Sequence, residues 1–383
     1  MESFSFSIPQ SVIYGPGNIG KLPELALKLK RSKALIVSGP HLYKIGAVGK
    51  CADLLSEVGI ESEIFSETEG NPSTDTVNRA AERYKDSGAD FIVAFGGGSP
   101  LDVAKAVAVV GTFGGNITEY EGVGKVPGPV VPMIAIPTTA GTGSEVTAFS
   151  VITDHSRNYK LTVGSEYLIP QYAILDPELI TTVPETTAAA CGIDALVHAI
   201  EAYLSRAASP FSDMMAEKAI KLIGVNLRAY VSNRGDKASA EAMLLGSLFA
   251  GIAFSHARLG NVHAMSHPVS AYFDVPHGLA NAIILPTVIA FNELADKGKY
   301  YNIYRYIAKN PVGKEFYESY MLELEIIRLN KALGIPDNLA EAGVKEEYFE
   351  AMADDAMKSG NVLVNPRTTT RKDIIELYRK AYK

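Results

Sequence analysis

Cysteine is scarce in this 383-residue chain: Cys51 and Cys191 stand alone, far apart and without CxxC spacing. That excludes a disulfide framework and a thiolate metal cage, and reduced thiols in a cytoplasmic setting are expected. Runs of Lys or Arg are missing and the net charge is −7. The chain therefore carries no electrostatic footprint for DNA or RNA, and nucleic acid is not an expected partner. The opening stretch MESFSFSIPQ has neither the basic nor the apolar region of a secretory signal. Long hydrophobic runs are lacking too. The most apolar helical stretch, MLLGSLFAGIAF (243–254), reads as too short to cross a bilayer, so no membrane association is expected.

What is present is ordinary for a globular enzyme, with 47% apolar and 21% charged residues. The length exceeds one hydrophobic core and predicts two domains. Strand and helix signals alternate in the first half. KALIVSG (33–39), ESEIFSET (61–68), FIVAF (91–95) and PMIAIPT (132–138) read as strands, with helices over 48–59, 75–88 and 101–110. Such alternation implies an α/β domain with a Rossmann-like parallel sheet covered by helices. Beyond Asp176 the helical period dominates, as in 186–206 and 212–231. The predicted division is 1–180 for the α/β domain and 181–383 for an all-helical domain, with Pro177 and Pro184 bracketing a helix start.

FIVAF-GGGSP-LDVAKAVAVV (91–110) reads as strand, tight turn and helix. Gly96, Gly97 and Gly98 let backbone amides approach a bulky anion, with Ser99 expected as N-cap, Pro100 at the first helical position and Asp102 three residues past the cap. The amide-rich end of that helix would suit a pyrophosphate. A plain strand-to-helix turn explains the same glycines, and this turn is neither GxGxxG nor a P-loop. PTTAGTGSEVTAFS (137–150) adds Thr138, Thr139, Thr142, Ser144 and Thr147 just after another buried strand. Hydroxyl-rich loops often only cap helices. Two such loops at strand ends of one α/β domain favour a nucleotide crevice.

Only seven histidines occur, and four of them (His198, His263, His267, His277) fall within 192–203 and 260–278. Asp194 and His198 are four residues apart in a helical segment, His263 and His267 repeat that spacing, and His277 follows a turn marked by Pro276. Residues at i and i+4 project from one helix face. A lone helical histidine is usually a satisfied core residue. Two such pairs in aliphatic surroundings favour a transition-metal site, because unpaired buried polar groups are costly. One carboxylate and three imidazoles fill most of a shell and leave a position for substrate.

With these motifs in hand the chain resembles the iron-containing (group III) alcohol dehydrogenase family, collinearly over nearly its whole length. The matching segments are 6–25, 70–77, 96–107, 137–147, 175–203 and the His-rich 260–278. The resemblance implies the dehydroquinate synthase-like fold, an NAD(P) dinucleotide, and a divalent metal, Fe(II) or alternatively Zn(II), held by the helical domain. It assigns Asp194, His198, His263 and His277 as metal ligands and His267 as proton relay. It places the pyrophosphate at Gly97, Gly98 and Ser99 with Asp102. Asn71, Thr138, Thr139, Thr142, Thr147 and Lys160 join the cofactor path, and Gly39 lies at its adenosine end. The implied reaction is hydride transfer between NAD(P) and a small primary alcohol or its aldehyde, the metal acting as Lewis acid. A homodimer is likewise implied.

Two departures from the family pattern bear on specificity. Gly39 stands in IVSGPHLYK (36–44) where many members carry an Asp that pairs with the ribose hydroxyls. Without that carboxylate a 2′-phosphate is not repelled, and His41 or Lys44 is placed to meet it, so NADP(H) acceptance is expected; Gly39 and Pro40 acting only as a turn is the alternative. His256 replaces a common Asn and, with Arg258, adds positive charge that would favour an anionic aldehyde, unless both side chains face away. Cys191 reads as a packing substitution and His155 as a solvated turn residue. The competing activities are a hydroxy acid dehydrogenase acting on a compound such as 4-hydroxybutyrate, a dehydroquinate synthase-like lyase, and a non-catalytic nucleotide-binding regulator. The lyase needs a pocket rich in Lys and Arg, and the metal-motif segments carry few.

Overall fold

A computed structural model describes residues 4–383, so the first three residues of the N-terminal stretch read above lie outside it. The chain forms two compact units. One comprises Ile8–Thr139 and Ser144–Thr181; the other comprises Ala140–Gly143, Thr182–Lys383 and the segment ending at Ser7.

The α/β unit runs β1 (Ser11–Tyr14), α1 (Leu22–Lys28), β2 (Lys33–Val37), α2 (Pro40–Lys44), α3 (Ala47–Ser56), β3 (Glu61–Phe65), α4 (Thr74–Ser87), β4 (Phe91–Gly96), α5 (Gly98–Phe113), β5 (Gly122–Val123), β6 (Met133–Pro137), β7 (Phe149–Asp154), β8 (Tyr159–Gly164) and β9 (Tyr172–Leu175). Six strands form one parallel sheet in the order β1-β9-β6-β4-β2-β3. Its central strands are apolar throughout because both faces are covered. Leu35, Val37, Ile92, Ala94, Met133 and Ala135 pack with α4 and α5 on one face. The alternate residues Ala34, Ile36, Phe91, Val93, Phe95, Ile134 and Ile136 pack with α1 and α3 on the other. Chain order reverses beside β2, whose neighbours are β3 and β4, so the carboxyl ends of β2 and β4 flank a switch point where α/β sheets bind ligands.

Three features differ from the sequence reading. First, α5 begins at Gly98 with Gly97 as its N-cap, two residues earlier than Ser99. The Ser99 hydroxyl instead donates to the Gly70 carbonyl at 2.7 Å, tying the turn to the loop after β3. Second, β7 and β8 form an antiparallel hairpin in a small sheet with β5, and His155 sits exposed in its turn. Third, the apolar stretch 243–254 belongs to a 21-residue helix, so it is not too short to span a bilayer. That helix and His277–Ala295 are both long and apolar enough by length and composition, and most of each window is buried within the protein.

The helical unit contains α6 (Glu185–Leu204), α7 (Pro210–Ser232), α8 (Lys237–Ala257), α9 (Asn261–Phe273), α10 (His277–Asn292), α11 (Tyr300–Ile307), α12 (Tyr320–Ala332), α13 (Phe349–Lys358) and α14 (Arg371–Ala381). Pro177 opens a short 3-10 turn capped by the Asp176 side chain, and Pro184 is the N-cap of α6. The fold is thus an α/β unit with a parallel sheet and an all-helical unit.

A buried charge organises the hydroxyl-rich segment after β6. Lys105, in the apolar face of α5, is 1% exposed and donates to the Thr147 carbonyl (2.8 Å), the Thr147 hydroxyl (3.1 Å) and the Phe149 carbonyl (2.9 Å). Asp102, one turn earlier, accepts from the Ser144 hydroxyl at 2.6 Å and from the Val151 amide at 3.1 Å. Burial pulls the Lys105 ammonium down to about 8 against Asp102 and Glu145. It pushes the Glu145 carboxyl, whose Oε1 has no hydrogen-bond partner, up to about 7. A carboxyl raised in the folded state binds more protons there than in the unfolded chain, so its contribution to stability falls as pH rises through that window. The Tm advantage of E145Q over wild type should therefore widen between about pH 4.5 and 7 and level off above, an effect on the order of 2–3 kcal/mol. Thermal melts of the two proteins across that range check this; a pH-independent difference would contradict it.

Candidate functional site

The first half of the site grows from one face of α6. Asp194 and His198 lie one turn apart there, and Glu201 continues the same stripe at i+7. Helix α10 reaches this face because Gly278 has no side chain: a Cβ would stand 2.1 Å from the Ala190 carbonyl oxygen of α6. The backbones touch, and His277, the first residue of α10, is carried to Asp194. His263 comes from the first turn of α9.

Three imidazole nitrogens converge on one carboxylate oxygen. Nε2 of His198, His263 and His277 lie 3.8, 3.7 and 3.9 Å from Asp194 Oδ1. Ligand atoms around a tetrahedral metal at the usual bond lengths are about 3.4 Å apart, so the spread fits a cation at the centre with slight contraction. Donor atoms of Asp194, His263 and His277 all lie within 4.8 Å of one another. His198 stands just outside that tightest trio, its ring stacked between Phe254 and His263 at centroid distances of 4.5 and 4.6 Å. Cys191 takes no part; it packs against the Gly141 backbone.

The electrostatics ask for positive charge at this point. Burial opposes ionisation of Asp194, yet the surrounding imidazoles hold its carboxyl well below the usual range. Burial pushes His198 down to about 4. His263 is driven the other way: burial disfavours its charge, but Asp194 and Glu201 outweigh that and raise it to about 9. In the same place sits the Asn281 amide, fully buried on α10 one turn after His277. Its Nδ2 donates to Asp194 Oδ1 at 2.6 Å and lies 3.1 and 3.2 Å from Nε2 of His263 and His277. A partial positive charge thus occupies the point where three acceptors meet, which is where a divalent cation fits. Sequence reasoning missed Asn281 and Glu201, although both stand at helical spacing from residues it selected.

The site opens on one side. Side-chain exposure is 1% for His263, 4% for Asp194 and 6% for His198, but 25% for His277. His267, half-buried, lies beside His277 with ring centroids 5.2 Å apart and 6.2 Å from that of His263. His256 stacks on Phe6 at 4.5 Å, and burial lowers its pKa, which weakens its value as a source of positive charge. Arg258 is exposed at the end of α8, its guanidinium against Gly360.

In the α/β unit the expected cofactor residues gather at the carboxyl ends of adjacent strands: Gly39 after β2, Gly97, Gly98 and Ser99 after β4, Thr138 and Thr139 after β6. Gly97 approaches the Thr139 side chain so closely that a Cβ would lie 3.3 Å from its hydroxyl. Lys160 Nζ donates to Asn71 Oδ1 at 2.9 Å, joining the β7–β8 hairpin to the loop that also receives Ser99. Asp102 and Thr147 are brought close as well, but to Ser144, Val151 and Lys105, which occupy their polar atoms. Thr142 falls in the compact unit of helices rather than with Thr138 and Thr139. The letters GxGxxG do occur once, at GPGNIG (15–20) after the edge strand β1, but the Asp176 carboxylate takes the Ile19 amide there at 3.1 Å.

Comparison with known proteins places the whole chain in one family. Residues 9–177 match the family model described as iron-containing alcohol dehydrogenase. Residues 188–382 match the model for the C-terminal part of the Fe-containing alcohol dehydrogenase family. The chain is 38% identical over 382 residues to a 1,3-propanediol dehydrogenase of Citrobacter freundii, covering 99% of each chain. It is 38% identical to an NAD-dependent methanol dehydrogenase of Bacillus methanolicus, over 98% of this chain and 99% of that one. The solved structure of an alcohol dehydrogenase from Oenococcus oeni superposes with a TM-score of 0.94 at 35% identity, covering 99% of this chain and 100% of the other. Likeness of this extent, over both halves of the sequence, makes the chain a member of the iron-containing alcohol dehydrogenase family.

Proposed function

We propose that this chain is a divalent-metal-dependent enzyme, with Fe(II) as its metal, that interconverts small uncharged primary alcohols and their aldehydes using NADP(H) as well as NAD(H). The convergence of three imidazole nitrogens on Asp194 Oδ1, with an amide N–H group at the centre, carries the reading. Asp194, His198, His263 and His277 would hold the metal; a carboxylate with three imidazoles suits Fe(II) and Zn(II) alike. A cation there supplies Lewis acidity that lowers the pKa of an alcohol hydroxyl toward neutrality, and a nicotinamide ring supplies the hydride acceptor.

The protein's own share is to hold, orient and move a proton. The stacking of His198 between Phe254 and His263 keeps that side of the site dry and fixes the ring planes. The exposed edge of His277 leaves the way in for a small substrate, and His267 beside it carries the proton between the hydroxyl and solvent. At the other end, the N-terminus of α5 offers backbone amides to a pyrophosphate. Small uncharged substrates are favoured because His256 is committed to Phe6 and shifted toward its neutral form. The relatives named for 1,3-propanediol and methanol point to the same size class. Dual cofactor use follows from Gly39, which caps α2 with no carboxylate while His41 and Lys44 stay exposed on that short helix.

Metal analysis of anaerobically purified protein, followed by chelation and reconstitution, tests the metal assignment. Bound iron, activity lost with the metal and restored by Fe(II), and a D194A variant that neither binds metal nor turns over are the expected results. Full activity in metal-free protein would refute the reading. With butanal as substrate, kcat/KM for NADPH should equal or exceed that for NADH in the wild type. A G39D variant should lose roughly tenfold or more with NADPH relative to NADH, since a carboxylate beside the 2′-phosphate repels it. A wild type with a strong NADH preference would overturn the Gly39 argument. Butanal should also be reduced more efficiently than succinic semialdehyde, and reduced nicotinamide should accumulate steadily with alcohol, which a lyase recycling its cofactor would not show.

A further inference from the structure

Glu201 lies outside the ligand set, yet its position is specified from three directions. It projects from α6 on the stripe that carries Asp194 and His198, and it is 6% exposed. Its Oε2 lies 2.6 Å from His263 Nδ1, and its Oε1 accepts from the Val262 amide at 2.7 Å. The His263 amide also points at Oε2, at 3.4 Å. Those amides belong to the first turn of α9, whose N-cap is Gly260 and offers no capping side chain. Helix starts leave such amides without intrahelical partners and favour a negative charge. A side chain from another helix therefore supplies the cap. Gly260 permits it: a Cβ there would stand 2.9 Å from Glu201 Oε1 and 3.1 Å from Asn365 Oδ1. The Asn261 amide next in line is capped by Asn365 Oδ1 at 3.3 Å.

We propose that Glu201 is a positioning residue that selects the form of His263 able to bind the metal. This rests on the reading of Asp194, His198, His263 and His277 as the metal site. An ionised carboxylate only accepts hydrogen bonds, so the ring nitrogen facing it carries the proton. Nε2 is then the lone-pair nitrogen, directed at the point shared with Asp194 and His277. A carboxylate behind a ligating histidine fixes ring orientation and raises ligand basicity. The charge count with metal bound agrees: the proton that His263 would otherwise hold between two carboxylates is displaced, leaving Asp194 and Glu201 against neutral imidazoles, and one divalent cation balances that pair. Because the same carboxylate holds the first turn of α9, the backbone that carries His263 and the proton on its ring are set by one group.

Glu201→Gln separates this role from packing. Glutamine keeps the size and can still accept from the Val262 amide, but it turns an NH2 group toward His263 Nδ1 and favours the opposite tautomer, with a proton on Nε2. Zinc-loaded protein, diamagnetic and suited to NMR, should show a strongly deshielded histidine Nδ1 proton in the wild type that is absent in E201Q. Chelator competition should show zinc bound roughly 10–100-fold more weakly by E201Q. N365A, which removes the neighbouring cap and leaves Glu201 intact, should lower Tm without changing zinc affinity or the Nδ1 signal. Unchanged zinc affinity in a folded E201Q, or a zinc-loaded wild type without the Nδ1 proton, would overturn the role of Glu201. The second readout needs no variant to fold. Zinc binding by D194A as tight as wild type would instead defeat the metal-site reading itself, and the proposal with it.

Discussion

The helical unit is arranged around the burial of one carboxylate oxygen. Asp194 Oδ1 is taken out of water with three imidazole nitrogens on it, and none of those rings is a strong cation by default. An isolated buried carboxylate is costly, and the surroundings meet that cost by collecting donors: an amide from Asn281 and a proton on His263, which by proposal a divalent metal replaces. Each requires three helices to meet within a few ångströms. Gly278 against Ala190 brings α10 to α6, and Glu201 at the start of α9 brings the third. A larger residue at Gly278 would push α10 off the Ala190 backbone, and one at Gly260 would meet the Glu201 carboxylate, so both positions keep a ligand-bearing helix against α6.

The α/β unit solves the inverse problem with the same means. Lys105 is a buried cation, and carbonyl oxygens of Thr147 and Phe149 turn inward to hold it. Its neighbour Asp102 does the same with donors from Ser144 and Val151. Two charges one turn apart on α5 thus fix the path of the chain from Ser144 to Val151. The hydroxyls of that segment divide into roles on this basis: those of Ser144 and Thr147 serve the internal charges, and Thr139, half-buried at the end of β6 beside Gly97, stays available at the strand ends.

Local chemistry made much of this legible from sequence. The strands at 33, 61, 91 and 132 announce themselves as apolar runs bounded by turn residues, and the i,i+4 pairs of Asp194 with His198 and His263 with His267 mark helix faces. What escaped was non-local. The β7–β8 hairpin is polar at its tip and alternates weakly, since its register comes from pairing with the partner strand and from the bridge of Ser73 to Thr153. The cap of α5 was misplaced by two residues because Ser99 is a good N-cap by type, and only the distant Gly70 carbonyl shows where its hydroxyl goes. Glu201, Asn281 and Lys105 carry no signature of their own; a polar residue in an apolar helix becomes informative once its partners from other elements are known.

The exposure gradient across the metal candidates gives the site a direction. His263, Asp194 and His198 are sealed, and only His277 has an edge toward solvent. A group that enters must do so past His277, and a proton that leaves must follow the same side, where His267 is the next ring. The sealed side is where Glu201 accepts from the first turn of α9 and where Asn365 joins that turn to Asn292 at the end of α10. Rigidity and access are thereby placed on opposite sides of the same carboxylate. Glu201 is held both by the turn it caps and by the ring it faces, so the ligand on that side, His263, should set the geometry. His277, at the first position of its helix and partly exposed, is the ligand with room to adjust as a substrate enters or leaves.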